Sequence, residues 1–263
     1  MSESVRAVER ALDVLRCFSR QTPELNMTQI AERIGVHKST VHRLLATLEK
    51  NRFVERDPVT GIYRPGISLL QLSYLALEQN DLRQVAAPVM RQLNETYQEN
   101  IHLAVLDECD VVFVHILESP QRIKLAAAIG QRLPAFATAS GQAVLAFLPE
   151  DQVGSIISGG IPCYTPKTPG SPEAIRAILE RTRAAGFAVS EREYEDEINA
   201  VAAPIFDLGR LPIASLAVVG PAYRLNVEQM LKIGPELVVA AKAIMHEFEV
   251  AGPRAVKKPQ GVK

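Results

Sequence analysis

Ala31, Gly35 and Val41 stand four and six residues apart, and this spacing restricts the fold more narrowly than anything else in the chain. Two helices cross tightly only where a small residue sits at their contact, a residue tolerant of positive φ makes the turn, and a branched apolar residue locks the second helix onto the first. The three residues meet these needs in order, with Ile30, Ile34, Val36 and Leu44 at the apolar positions around them. The pattern predicts a helix capped near Met27 or Thr28 and ended by Gly35. A further helix follows over 38–51, with Val41, Leu44, Leu45 and Leu48 on its inner face. Ahead of them, Val8, Ala11, Leu12, Leu15 and Phe18 recur at three- and four-residue steps, which marks an amphipathic helix over 5–18. Behind them, 53–56 and 62–64 are β-prone runs around the turn residues Pro58 and Gly61, the makings of a small hairpin.

Helix, turn, helix and hairpin together predict a winged helix-turn-helix over 1–65. In that arrangement the second helix of the motif lies in the major groove of double-stranded DNA and its first turns reach base edges. The candidates are Lys38, Ser39, Thr40, His42 and Arg43, joined by Thr28 and Gln29 at the head of the preceding helix. Lys38 and Arg43 can donate to guanine acceptors or to phosphates, and the hairpin sets Arg56 and Arg64 against the backbone or the minor groove. The bland alternative is a solvated polar helix face with an idle hairpin. His37 and His42 have no acidic or cysteine partner at ligand spacing, so no metal is expected there.

Charge is distributed in keeping with this. Residues 1–65 carry 11 Lys/Arg against 8 Asp/Glu, residues 66–251 carry 14 against 22, and residues 252–263 carry 4 against none. An acidic body is repelled by phosphate, so nucleic acid must be met by the N-terminal part. With 47% hydrophobic and 22% charged residues the composition is that of an ordinary globular protein. There is no apolar run of about 18 residues and no basic-then-apolar N-terminus, which predicts a cytoplasmic protein without a membrane partner. Cys17, Cys109 and Cys163 are far apart and outside any Cys-x-x-Cys spacing, and are expected to be buried thiols.

Residues 66–80, with Leu69, Leu70, Leu72, Leu75 and Leu77, predict a linker helix too apolar to stand alone, and hence an oligomer rather than a monomer. Over 81–251 helices and strands alternate. A helix ends near Tyr97, and strands are expected at 101–106, 111–117, 123–128, 187–190, 200–207 and 213–219. Helices are expected at 140–147, 151–157, 172–185 and 227–248. The overall class is α+β in two domains, and the basic tail 252–263 is expected to be unstructured.

These residues bring the chain close to a known family. Arg6 to Leu12 (RAVERAL), Lys38 to Leu48 (KSTVHRLLATL), Ile129 to Gly141 (IGQRLPAFATASG), Gly186 to Val189 (GFAV), Val201 to Pro204 (VAAP) and Gly220–Pro221 before Arg224 occur in the order seen in the IclR family of bacterial transcriptional regulators, which the chain resembles over nearly its whole length. The resemblance implies a winged-helix domain, a linker helix, and a C-terminal domain with a GAF-like sheet that binds a small-molecule effector. It also implies assembly as homodimers able to pair into tetramers.

Carried over by motif, the effector site has a floor and lip of Leu125, Ile129 and Leu133. Ala139 and Ser140 stand at a turn whose amides face an anion, with Ser140 opening a helix. The opposite wall comprises Ser190, Ile198, Ala200, Ala217 and Val219. Small-acid sensors of the family place an acidic residue, a cysteine and serines at Ser190, Ala200, Ala217 and Val219. The apolar wall here therefore suits a larger or more hydrophobic effector, still a small organic one bearing a carboxylate. Plain core packing is the competing reading of these wall residues.

The acidic run Glu191, Glu193, Glu195, Asp196 and Glu197 reads as a solvated loop rather than a metal site, and no cofactor or metal is expected. Two other functional classes are weighed against a ligand-responsive regulator. In a hydrolase Ser140 would be the nucleophile, but Thr138-Ala139-Ser140-Gly141 lacks a Gly-x-Ser-x-Gly elbow and no histidine is tied to it by pattern, so an enzyme is not expected. The other is a DNA-binding protein that needs no effector.

Overall fold

Three helices open the chain: α1 (Arg6–Arg16), α2 (Met27–Ile34) and α3 (Lys38–Lys50). The computed structural model describes residues 5–19, 22–78, 81–123, 125–207 and 210–251, and the chain divides into two units, Met1–Gln79 and Asn80–Lys263. Residues 79 and 80 of the expected linker and the basic segment 252–263 lie outside the described residues.

In the first unit α2 begins one residue earlier than the apolar pattern implies. Asn26 is the cap: its side chain accepts from the Gln29 amide while the Gln29 side chain accepts from the Asn26 amide. This reciprocal capping box satisfies two helix-end donors at once. Gly35 ends α2 at φ 64°, and its amide donates to the Ala31 carbonyl. A side chain would be strained at that angle, which is why a glycine makes this turn. His37 caps α3, its Nδ1 accepting from the Ser39 amide.

Val14, Ile30, Ala31, Val41, Leu45 and Leu48 close over Val54 and Tyr63 to form a core of their own. β1 (Val54–Arg56) and β2 (Tyr63–Pro65) pair antiparallel, with Glu55 opposite Arg64. Leu25 bridges to Tyr63, so the lead-in to α2 is stitched to the hairpin. Arg33 donates to the Cys17 carbonyl at 2.7 Å and to Thr22 Oγ1 at 3.0 Å, tying α2 to the end of α1. α4 (Ile67–Glu78) follows, its first turn held by a Ser68 hydroxyl that donates to the Asn51 carbonyl.

The second unit is built on one antiparallel sheet. Its strands are β3 (Asn100–Asp107), β4 (Asp110–Leu117), β5 (Arg132–Pro134), β6 (Ala188–Glu191), β7 (Ile198–Phe206) and β8 (Pro212–Pro221), in the spatial order β5-β4-β3-β8-β7-β6. Successive side chains of a strand point to opposite faces. Ile101 and Leu103 of β3, Val201, Ala203 and Ile205 of β7, and Ala214, Leu216 and Val218 of β8 therefore share one face. They pack there with Met90 of α5 (Asp81–Tyr97) and with Met230, Leu237 and Ile244 of α9 (Val227–Ala251).

The other face meets a 3-10 turn at Ala135–Ala137 and α6 (Ala139–Leu145). Beyond them lie α7 (Glu150–Ser158) and α8 (Pro172–Ala185). α6 approaches the sheet closely because the fully buried members of the cluster between them are all alanines: Ala139 and Ala143 from the helix, Ala188, Ala202 and Ala217 from the strands, with Val219 at its edge. Gly141 allows a second close approach, of α6 to the 3-10 turn, since a Cβ there would lie 2.1 Å from the Ala135 carbonyl oxygen.

Some expectations are corrected. Within the expected strand 123–128, of which residue 124 lies outside the described residues, residues 123 and 125–128 form no strand, and the next strand comes only at Arg132–Pro134. Two side-chain contacts hold the stretch, Arg224 donating to the Ile123 carbonyl and Asn100 to the Leu125 carbonyl, which a strand reading of Ile123 and Leu125 could not anticipate. Cys17 is buried, but Cys109 and Cys163 are exposed, because one sits in the β3–β4 turn and the other in the loop after α7. Among the described residues no helix is long and apolar enough to cross a membrane.

Candidate functional site

Two places in the chain gather chemistry. The first is the outer face of α3. Its inner stripe Val41, Leu45 and Leu48 is buried, which turns Lys38, Ser39, His42 and Arg43 outward, with Thr40 half-buried at the edge. Gln29 is exposed and Thr28 half-buried at the head of α2. Two of these polar groups already have work within the fold: Gln29 completes the α2 cap, and the Ser39 hydroxyl lies 2.8 Å from His37 Nδ1. On the hairpin the Arg56 guanidinium sits over the Tyr63 ring at 5.8 Å, and Arg64 pairs across the strands with Glu55 at 3.1 Å. That pair is exposed and therefore weak, so Glu55 can release Arg64 to a phosphate at little cost.

The second is a cavity of about 230 Å³ between the sheet and the start of α6. Of the ten residues expected there, Leu125, Leu133, Ala139, Ser140, Ser190, Ile198, Ala200 and Val219 line it. Ile129 does not: it lies on the outside of the loop and is 43% exposed. Ala217 does not either, because it is sealed in the alanine contact beneath α6. The helix there is capped by Thr138, whose hydroxyl accepts from the Gly141 amide, so Ser140 lies inside the first turn of α6 rather than opening it.

Sequence reasoning missed His102, Phe113, Gln131, Thr138, Tyr194 and Glu195, which also line the cavity. One signal for His102 was present: Ile101 and Leu103 face α5 and α9, so the residue between them must face the other way. Strand pairing then sets it beside Ala217 and Ile116. Burial pushes the His102 imidazole down to about 4, so it is neutral at physiological pH. Glu195 is raised by desolvation.

Glu193, expected in a solvated loop, is instead buried against Gln142, whose side-chain amide donates to it. Burial carries its carboxyl up to about 7, against the opposing pull of Gln142 and Arg181. Ser140 and His102 border the same cavity, yet neither imidazole nitrogen has a hydrogen-bond partner among the described residues, so they are not joined as a nucleophile and its base would be. Among the described residues no three His, Cys, Asp or Glu side chains gather as a metal would need.

A helix-turn-helix with a basic outer face, followed by a separate α/β unit enclosing a small cavity, defines a DNA-binding transcriptional regulator with a sensor domain. Comparison with known proteins is specific. Residues 7–58 match the family model for the IclR helix-turn-helix domain, and residues 74–246 match that for the bacterial transcriptional regulator IclR C-terminal domain. The HTH-type transcriptional regulator XynR of Escherichia coli is 31% identical, over 91% of this chain and 96% of that protein.

Among solved structures, an IclR transcriptional regulator from Alicyclobacillus acidocaldarius superposes with a TM-score of 0.84 at 28% identity, over 93% of this chain and 99% of the other. An IclR homolog from Microbacterium hydrocarbonoxydans, complexed with 4-hydroxybenzoate, superposes at 0.79 with 28% identity, over 92% of this chain and 100% of that one. The chain belongs to the IclR family of bacterial transcriptional regulators.

Proposed function

We propose that this regulator binds its operator through α3 and is controlled by a small organic, carboxylate-bearing effector held in the cavity beside α6. Residues 1–65 act as the DNA-binding domain, 66–80 as the linker helix and 81–251 as the effector-binding domain. Lys38, Thr40, His42 and Arg43 read bases or phosphates, and Arg56 and Arg64 position the wing. The observation that carries the reading is the outward-facing polar head of α3 on a buried Val41–Leu45–Leu48 stripe, since that is the surface a recognition helix must offer the groove.

The cavity supports the effector half of the proposal. Its lining is apolar for the larger part, with His102, Gln131, Thr138, Ser140, Ser190, Tyr194 and Glu195 as polar groups able to orient a small molecule. The 4-hydroxybenzoate held by the Microbacterium hydrocarbonoxydans relative supports an effector of ring size. The protein works as a homodimer, able to pair into a tetramer, in the cytoplasm. Support for self-association comes from apolar side chains exposed at the cap of α1 (Val5), on α1 (Val8 and Leu12) and on α4 (Leu70, Leu72 and Leu75). Two recognition helices then meet half-sites about one helical turn, or a multiple of it, apart. The effector acts by preferring one arrangement of the paired chains over another, which shifts the population able to grip both half-sites.

Footprinting of the purified protein on DNA flanking its own gene, with and without a panel of aromatic and aliphatic acids, tests this. The expected outcome is a protected two-fold site whose occupancy changes with one class of acid. Protection indifferent to every acid would favour an effector-independent DNA-binding protein, and absence of any protected site would refute the reading of α3.

A further inference from the structure

His102 is 3% exposed, and neither Nδ1 nor Nε2 has a hydrogen-bond partner among the described residues. Buried side-chain polar atoms nearly always have a partner, and an orphaned one calls for an explanation. Its ring lies against Phe113, with centroids 4.6 Å apart and planes at 54°, and both rings border the cavity. We propose that His102 recognises a hydroxyl group on the effector, so that the cavity selects a hydroxylated six-membered ring over the same ring without the hydroxyl. The proposal rests on the effector reading of this cavity and makes it more specific.

The chemistry of the lining decides between ligand groups. A neutral imidazole offers one N–H and one lone pair, and the depressed His102 basicity keeps it in that form. A hydroxyl can pair with either nitrogen, because it both donates and accepts. A carboxylate only accepts, so it could pair with the imidazole N–H alone and never with the lone pair. A plain ring edge leaves the imidazole as orphaned as before. Size agrees, since a cavity of about 150 Å³ already holds benzene and the space here is about 230 Å³, enough for a ring with one or two substituents. Phe113 and Tyr194 supply aromatic surface to such a ring.

The test uses matched pairs on the intact protein, 3-hydroxybenzoate against benzoate and 4-methylphenol against toluene. Dissociation constants come from calorimetry. Ring nitrogen shifts come from ¹⁵N-histidine labelling, with the signal of His102 among the five histidines identified by its loss in His102→Gln. The hydroxylated member of each pair should bind about tenfold more tightly and should move a His102 ring nitrogen that its plain partner leaves in place. In His102→Phe the preference should fall to within about twofold, and His102→Gln, which keeps a hydrogen-bonding group, should retain part of it.

Equal affinities within both pairs in the wild-type protein overturn the hydroxyl proposal while leaving the effector pocket standing, as does a preference that survives His102→Phe. If none of the four compounds shifts any signal from the cavity lining, the effector reading falls and this proposal falls with it. The wild-type pairs decide the matter even should a variant fold poorly.

Discussion

Arg224 grips Glu99 with two hydrogen bonds, Nε to one carboxylate oxygen at 2.6 Å and Nη2 to the other at 2.9 Å, and Nη2 also donates to the Ile123 carbonyl at 3.0 Å. The carboxylate is nearly buried, with a side-chain exposure of 9% against 23% for the arginine. Beside it, the Asn100 side chain donates to the Leu125 carbonyl and accepts from the Ser119 amide. Two consecutive residues at the head of β3 thereby hold the loop that carries Leu125 to the cavity.

Removing the arginine leaves a buried carboxylate uncompensated, which is far costlier than losing a surface pair. Arg224→Ala should lower stability by about 3 kcal/mol and shift the thermal midpoint down by several degrees. The double variant Glu99→Gln, Arg224→Met should recover part of the loss, because no lone charge is left inside. Urea unfolding of the three proteins checks both statements.

Gly141 has no room for a side chain. A Cβ would stand 2.1 Å from the Ala135 carbonyl oxygen and 2.3 Å from the Ala135 Cα, both backbone atoms that cannot swing aside. Gly141→Ala should destabilise the second unit by about 3 kcal/mol, the upper end for forcing extra volume into a packed interior. Gly154→Ala, inside α7 with nothing within 4 Å, should be neutral or mildly stabilising. Circular dichroism melts of the pair should therefore diverge.

Under the proposed reading of α3, Arg43→Ala should weaken operator binding about 10- to 100-fold and relax sequence preference, as expected when a bidentate base contact is lost. Arg64→Ala should weaken all sequences alike and reduce the dependence of log K on log salt by about one. Gel shifts at several salt concentrations separate the two. If both variants bind like the wild type, α3 and the wing are misassigned.

Two buried groups tilt stability against pH in opposite directions. Burial depresses the folded pKa of His102 to about 4, below the ordinary histidine value of 6.5, so the unfolded chain binds the extra proton between those values. Its contribution is therefore present above about 6.5 and lost as pH falls toward 4. Glu193 is raised to about 7 from 4.5, so here the folded chain holds the extra proton. Its contribution is complete below about 4.5 and lost as pH rises through 7. In the wild type the two oppose each other over the shared range and the Glu193 loss continues above it. Glu193→Gln, which retains a partner for Gln142, should show stability rising from pH 4 to 6.5 and then level. Chemical denaturation across pH 4 to 8 would refute the assignment if both proteins gave the same profile.

The two units differed in how much the sequence alone disclosed. In the first, the helices came from local spacing, and the turn at Gly35 came from a single residue whose backbone freedom is visible in its name. The apolar spacing puts the cap near Met27 or Thr28, whereas Asn26 provides it, with Gln29 three residues on as the other half of a capping box. In the second unit strands with alternating or continuous apolar character were found, whereas β5, three residues long, has too little pattern to register. Ile123 and Leu125 look like strand residues, and only the contacts of their carbonyls with Arg224 and Asn100 say otherwise.

Local chemistry sufficed for the helix-turn-helix, for its outward basic residues and for the division of charge along the chain, since each depends on residues within one or two turns of each other. Pairing of distant segments decided the cavity. His102 faces it because β3 lies between β4 and β8, and Ala217 is withdrawn from it because α6 settles onto a floor of alanines drawn from three strands. Glu193 left its acidic loop for the interior because Gln142, on α6, was there to meet it. Burial and partnership are properties of neighbours in space, and residues that are remote in sequence leave no local periodicity from which those neighbours can be read.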